Sequence, residues 1–503
     1  MFQTDQTKQA SLFAFSHRDL VSEESDAWLY IDLFDALDLS DFDSDYEYQG
    51  QAAKEPRLML RTLFYGLTHG VVSGRKLSEV CRNDNRFIVL SGNLRPDRRT
   101  FDRFIRRHGE RFSGLFVQVV RLAQEMGLVS LGRVAIDGSK VKAAADRDMV
   151  YAKMGRAMAH IEENLKLLRE DLARANAEEA TELEATLQKE IRDQEVRRTR
   201  IAQAKAAIDA DFSRRRKQRD ARVKEKARRA LVDPEALPLS NRRGGFMHGY
   251  NVQAAVDEKA QIVVAQGVHD NATDFEALAP LVDQVQENCG KHGESYVADN
   301  GYQSLENVKK VKEVGSKAVI CRKPSKAKKG RDEEIHEQVF RGSHDREYFC
   351  KDGRKLFLAS RDTKGGWLNF KMPKGFCHAC PHQETCHLFG KKYPQVYDDP
   401  NRAMYTEYLS FSRTDEWKDT YKRRKAIVEA VFGNIKGNKG LRIFVRGKQA
   451  VSAWWSMATT AHNIEKIIGR IAQSTHGHFS ILVESILSLR QRVTMMIHIS
   501  YGR

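Results

Sequence analysis

Three carboxylates in this chain stand in settings suited to metal-assisted phosphoryl chemistry. Asp137 closes the apolar run Val134-Ala-Ile-Asp137-Gly-Ser, and Asp299 closes a second, Tyr296-Val-Ala-Asp299-Asn-Gly-Tyr302. Glu429 lies in a helical pattern crowded with cations, Tyr421-Lys-Arg-Arg424-Lys-Ala-Ile-Val-Glu429-Ala-Val-Phe-Gly-Asn-Ile-Lys436. Two strand-end aspartates joined by a helix-borne glutamate can hold magnesium or manganese, which take hard oxygen ligands from a few carboxylates and from substrate phosphates. A pair of such ions serves in-line displacement at phosphorus. Taken singly, an aspartate before glycine is more often a turn residue; the three settings together carry the reading. Asp257 competes, because it also ends an apolar run, but Asp257-Glu-Lys-Ala reads as a hairpin turn. His248 and Asn251, on the strand leading to it, are candidates for groups that support the site.

The charge balance agrees with a polyanionic partner. The 503-residue chain carries a net +16, and clustered positive charge favours nucleic acid. The first 50 residues run against the trend, with two Lys/Arg and twelve Asp/Glu. Basic character peaks in Arg95-Pro-Asp-Arg-Arg-Thr-Phe-Asp-Arg-Phe-Ile-Arg-Arg107. There Asp97 can cap a helix that turns Phe101, Phe104 and Ile105 inward and leaves Arg98, Arg99, Arg103, Arg106 and Arg107 for DNA. No stretch approaches the ~20 apolar residues of a membrane span, and the acidic N-terminus is unlike a secretory signal. Seven cysteines are too few for a disulfide framework. A reducing cytoplasmic setting, with the protein on the nucleoid, is expected.

Four of those cysteines form a second constellation. Cys377-His-Ala-Cys380 is followed by Cys386 and preceded by Cys350. Four thiolates suit a structural zinc ion, with His378, His382 and His387 as alternative ligands. Cys81, Cys289 and Cys321 read as ordinary packed residues.

The elements that must position these groups follow from periodicity. Leu58, Leu60, Leu63 and Leu67 mark a buried helix, and Ser73 caps the next. Leu131–Ile136 reads as a buried strand. Ile161, Leu165, Leu168 and Leu172, then Leu183, Leu187, Ile191, Ile201 and Ile208, describe a long antiparallel helical hairpin whose end, from Arg214 to Arg229, is intensely basic. His248–Asp257 and Ile262–Val268 form a β-hairpin. Phe275–Val285 reads as an amphipathic helix, Tyr296–Ala298 and Ala318–Ile320 as strands. After the short basic run Leu441–Lys448, Ala450–Ile468 reads as a buried helix with Asn463 as its polar exception.

With these residues in view, the chain resembles the bacterial insertion-sequence transposases of the DDE class along nearly its whole length. Glu55–Gly66 through Ser73-Gly-Arg-Lys-Leu resembles the family's N-terminal helical domain. Val134-Ala-Ile-Asp137-Gly-Ser-Lys140 and Ala298-Asp299-Asn-Gly-Tyr302 resemble its two aspartate motifs, and Tyr250-Asn-Val-Gln-Ala-Ala-Val-Asp257 the strand between them. Tyr421, Arg424, Glu429 and Lys436 resemble its Tyr-Arg-Glu-Lys signature, with one more residue between Arg424 and Glu429 than the usual three; Lys425 is the alternative partner for that role.

The resemblance implies Asp137, Asp299 and Glu429 as catalytic metal ligands, and Tyr421, Arg424 and Lys436 as DNA contacts beside them. It implies an α/β fold: an RNase H-like mixed-sheet core with an N-terminal helical domain, a long helical-hairpin insertion and a Cys-rich insertion. The expected layout is an acidic segment (1–50), a helical DNA-binding domain (51–130), core segments (131–145, 231–321 and 416–475), the hairpin (146–230), the Cys-rich insertion (322–415) and a C-terminal helix or tail (476–503). The implied activity is cleavage at the element's terminal inverted repeats and strand transfer into target DNA, by a homodimer because two ends must be paired. A non-catalytic DNA-binding relative and a metal-dependent nuclease without strand transfer are the alternatives.

Overall fold

The computed structural model describes residues 17–474 apart from 45, 47–53, 146–147, 179, 215–220, 241–243, 322–338, 342–346, 351, 362–367, 373–374, 376, 378–379, 387–394, 399–401, 439 and 441–444. The expected tail after 475, the candidate ligands His378 and His387, and most of the basic run at 214–219 lie outside the described residues. The chain divides into two compact units, one of Met1–Ser295 with Arg424–Arg503, the other of Tyr296–Arg423.

The first unit opens with helices α1 (Ala27–Ala36), α2 (Ser40–Asp43), α3 (Pro56–Thr68), α4 (Gly74–Asn83), α5 (Asn85–Leu90), α6 (Arg98–Arg107) and α7 (Phe112–Glu125). The aromatics among the early acids explain why that segment folds. Tyr30, Leu33 and Phe34 of α1 are buried. Phe34 lies 5.6 Å from Phe64, and the Tyr30 hydroxyl donates to Thr68 Oγ1 at 2.6 Å, so α1 packs on α3. Proline at the first position of α3 removes an amide that the helix cannot use. Ser73 and Asp97 cap α4 and α6 as expected, accepting from Lys76 N and Thr100 N; such caps stabilise by about 1 kcal/mol each. The two helices start close together because residue 74 is glycine: a Cβ there would stand 2.9 Å from Asp102 Oδ1 and 3.2 Å from Arg98 O.

Next come β1 (Arg133–Lys142), β2 (Asp148–Val150), α8 (Tyr151–Ala177), α9 (Thr181–Arg214), α10 (Ala221–Glu225) and β3 (Arg228–Ala230). Helices α8 and α9 form the expected antiparallel pair around Met154, Ile161, Leu165, Ile191, Ile201, Ala204 and Ile208. Ion pairs Arg169–Glu195 and Glu162–Arg198 mark the register. The ladder of β2 with β3, Asp148↔Ala230 to Val150↔Arg228, joins the two ends of this hairpin.

Strands β4 (Leu237–Ser240), β5 (Phe246–Asp257) and β6 (Val263–His269) lead to helix α11 (Leu278–Cys289). The helix begins three residues later than its apolar spacing suggested. β5 pairs antiparallel with β1, β4 and β6. It is buried on both faces from Gly249 to Asp257, which is why its sequence reads as a continuous apolar run without alternation.

The second unit contains β7 (Ser295–Ala298) from Tyr296 on, α12 (Leu305–Glu313) and β8 (Lys317–Ile320). Its next strands are β9 (Val339–Arg341), β10 (Tyr348–Cys350), β11 (Lys355–Arg361), β12 (Leu368–Lys371) and β13 (Gln395–Asp398), followed by α13 (Arg402–Ser412) and α14 (Asp415–Lys422). The Cys-bearing segment thus carries an antiparallel sheet, ordered β13-β12-β11-β10-β9 among the described residues. Short strands with exposed Phe357 and Leu358 gave no period-2 signal from which to read it.

The chain re-enters the first unit with α15 (Arg424–Gly433), a π-helical turn at Asn434–Asn438, and α16 (Lys448–Ser474). α16 is the expected buried helix, and its polar exception has a clear task. Asn463 is fully buried, and its side chain accepts from Val263 N and donates to Val263 O, both at 2.8 Å. Trp455 donates its indole N–H to Gln253 O and stacks on Phe432 of α15 with centroids 5.8 Å apart.

Candidate active site

Asp137 corrects the expectation that it ends a strand. The apolar run stops there, but β1 continues five residues to Lys142, since the β5 ladder extends from Asp137↔Ala254 to Lys142↔Gly249. In a strand, neighbouring residues face opposite ways, so Asp137 and Ser139 share one face while Gly138 and Lys140 take the other.

On the first face, the late helix supplies two cations. Arg424 Nη1 donates to Asp137 Oδ2 at 3.0 Å, and its Nη2 lies 3.8 Å from Glu429 Oε1. Arg424 is nearly enclosed (8% exposed), Asp137 partly (19%), and Glu429 is open (55%). Lys436 donates to Lys140 O at 2.9 Å and to Ser139 Oγ. It sits in the π-helical turn, a distortion frequent at functional sites, which the heptad-like spacing from Glu429 did not reveal. Lys425 is exposed, so Arg424 holds the inner position.

The extra residue in the signature has a geometric consequence. At five residues' separation Arg424 stands about 140° around the helix from Glu429, against about 40° for four. That rotation agrees with a guanidinium buried toward β1 beside a glutamate that faces outward.

On the other face, Gly138 is backed by a polar network that sequence reasoning located only in part. Asp274 Oδ1 accepts from Asn251 Nδ2 and Gln253 Nε2, both at 2.8 Å, and Gln253 also donates to Asn251 Oδ1 at 3.0 Å. A Cβ on residue 138 would stand 2.3 Å from Gln253 Nε2 and 2.8 Å from Asp274 Oδ1. Glycine after Asp137 therefore lets the network close against β1, and Asp137 Oδ1 accepts the Gly138 amide at 2.9 Å. Asn251 was a candidate support; Gln253 and Asp274 were missed, and a buried strand bearing Asn251 and Gln253 two residues apart was the available signal. His248 turns elsewhere, to Asp148 at the base of the helical hairpin.

Asp257 is structural. Its Oδ2 accepts from Ser130 N, Ser130 Oγ and Leu131 N, and its Oδ1 from Lys259 N. Complete burial still pushes its carboxyl above the usual range.

In the second unit Asp299 leaves β7 and caps the turn Asn300–Tyr302, accepting from Gly301 N at 2.7 Å. Tyr421, on α14, stacks on Trp417 at 5.1 Å. Cys350 closes a tight turn, accepting Gly353 N at 2.8 Å, and Cys377 accepts Cys380 N at 3.4 Å. Cys350, Cys377 and Cys386 border the small core of Tyr348, Leu356, Phe370 and Met372. Burial, then the neighbouring Cys386, Cys380 and Cys350, raises the Cys377 thiol. On α6 of the first unit, Arg98, Arg99, Arg103, Arg106 and Arg107 are all exposed, with Phe101 and Phe104 buried beneath.

Residues 202–464 match the model of the transposase DDE domain, just over half of the chain, and residues 15–107 match that of a transposase domain, DUF772. The chain belongs to the DDE transposase family. The larger match begins within α9, so it contains Asp299 and Glu429 and leaves Asp137 upstream. The smaller one covers the helices from α1 to α6. A comparison with curated proteins finds no match. The transposase is thus a polynucleotidyl-transferase-type protein of the insertion-sequence class, with an α/β fold consistent with an RNase H-like domain. Among the described residues no helix is long and apolar enough to cross a membrane.

The family uses a divalent metal. Among the described residues no group of three or more His, Cys, Asp or Glu stands ready to hold one. Yet Asp137 and Glu429 fit such an ion in kind. They are hard oxygen donors from two elements, both drawn to one positive centre, and magnesium needs only one or two carboxylates beside substrate phosphates.

Proposed function

We propose that the transposase cuts DNA at the ends of its element and joins the freed ends to target DNA, with Asp137, Asp299 and Glu429 as metal-binding carboxylates. The observation that carries this reading is the convergence of Asp137, from β1, and Glu429, from α15, on a single buried guanidinium. One guanidinium balances only one of the two carboxylates, which leaves negative charge for a divalent cation to neutralise. Magnesium or manganese, when bound, supplies Lewis-acid activation of the attacking hydroxyl and charge stabilisation at phosphorus.

The chain's own residues do the rest. The Gly138 amide orients the Asp137 carboxylate, and the network around Asp274 backs β1 from the other face at Gly138. Lys436, anchored on β1, and Arg424 and Tyr421 meet the phosphates beside the scissile bond. Arg98, Arg99, Arg103 and Arg106 on α6 bind the terminal repeats, because the helix presents an exposed arginine row over a buried Phe101–Phe104 seam. Pairing of two ends calls for a homodimer acting on nucleoid DNA. Cys350, Cys377, Cys380 and Cys386, which as they stand form no ready metal group, would draw together around a structural zinc that stiffens the β10–β11 turn and the Cys377–Cys386 loop.

The test is a cleavage assay with Mg2+ on duplexes carrying the element's flanking sequences. Asp137→Asn, Asp299→Asn and Glu429→Gln should each lose at least about 100-fold in nicking rate, the scale of removing one group that stabilises transition-state charge, and keep DNA binding. Retained nicking in any variant removes that residue from the site. Nicks without joined products would make the protein a nuclease, and DNA binding without nicks in the native chain would make it a non-catalytic relative.

A further inference from the structure

We infer that Arg424 is an internal counter-ion of the metal-free site, which a divalent cation displaces and which then becomes available to a DNA phosphate. This rests on the reading of Asp137 and Glu429 as metal-binding carboxylates. The geometry makes the two roles exclusive. Arg424 Nη1 lies 3.0 Å from Asp137 Oδ2, while Asp137 Oδ1 already accepts the Gly138 amide. A cation bound at Oδ2 would stand beside the guanidinium, and two positive charges a few ångströms apart in a partly enclosed site repel strongly. Loss of the carboxylate partners in turn leaves a buried arginine that must find another anion.

Lys436 reaches β1 at Lys140 O and Ser139 Oγ. Lys425 is exposed. Arg424 touches both acids, and it begins the helix that carries Glu429. Metal binding and phosphate binding are therefore coupled through one side chain. Whatever factor the metal adds to DNA affinity, DNA must add to metal affinity.

The experiment is Mn2+ binding to the full chain, with free Mn2+ counted by electron paramagnetic resonance, in the absence and presence of an element-end duplex. Arg424→Gln should bind Mn2+ about tenfold tighter than the native chain without DNA, within the usual range of coupling between sites. In the native chain DNA should tighten Mn2+ binding by a similar factor, and in Arg424→Gln by much less. A folded Arg424→Gln chain with unchanged or weaker Mn2+ affinity overturns the inference, as does native Mn2+ affinity indifferent to DNA. If that variant does not fold, Arg424→Lys decides: a single ammonium cannot span both acids, so intermediate tightening supports the inference and unchanged affinity overturns it. Asp137→Asn separates the two layers. Undiminished Mn2+ binding there would remove the metal-site reading itself, whereas diminished binding with an inert Arg424→Gln would remove only the counter-ion.

Discussion

Asn463→Leu should weaken the sheet that carries the site, by an amount the structure allows to be worked out. Asn463 satisfies both the N–H and the C=O of Val263, and both residues are wholly buried, so water cannot replace the amide. Leucine, of the same branched shape though larger, orphans two backbone groups at about 1–3 kcal/mol each and returns about 1 kcal/mol of apolar burial. The net loss is about 1–5 kcal/mol. Because a chain of two units need not unfold in one step, the urea midpoint should be paired with amide exchange at Val263, whose protection should fall by a corresponding factor. Asn463→Asp adds a signed control. A buried carboxylate cannot donate to Val263 O, but the protonated acid again offers one donor and one acceptor. Its folded-state pKa is therefore raised, so its stability is greatest at low pH and falls as pH rises through that value. Unchanged Val263 exchange and an unmoved midpoint in Asn463→Leu would refute the reasoning.

Arg99→Glu with Arg103→Glu should weaken binding to element ends and flatten the log–log salt slope by about 2, since each arginine displaces roughly one counterion; an unchanged slope in a binding titration would move recognition off α6. Protein purified without chelator should contain about one zinc per chain by elemental analysis, lost in Cys377→Ser/Cys380→Ser. Absence of zinc from the native protein would end that assignment.

The legible parts of this molecule were those whose signal is local. Caps at Ser73 and Asp97, the α8–α9 stripe and the β5–β6 hairpin each follow from a few adjacent residues and from one energetic rule. What stayed hidden depends on residues far apart in sequence. β1 outruns its apolar stretch because a ladder with β5 continues to Lys142, and pairing energy is not written in β1 alone. Asp274 is an unremarkable loop acid until Asn251 and Gln253 turn toward it.

Arg424 shows the same limit at the site itself. Sequence placed it in a phosphate-contacting signature and counted one residue too many before Glu429. On a helix, that residue is a rotation of about 100°, and it carries the guanidinium from the glutamate's face toward Asp137, 287 positions away. A departure in spacing that weakened the resemblance by count thus gains a physical sense in three dimensions. It gives an arginine reach over two carboxylates on different elements, and with it a means of offsetting part of the site's negative charge before metal arrives.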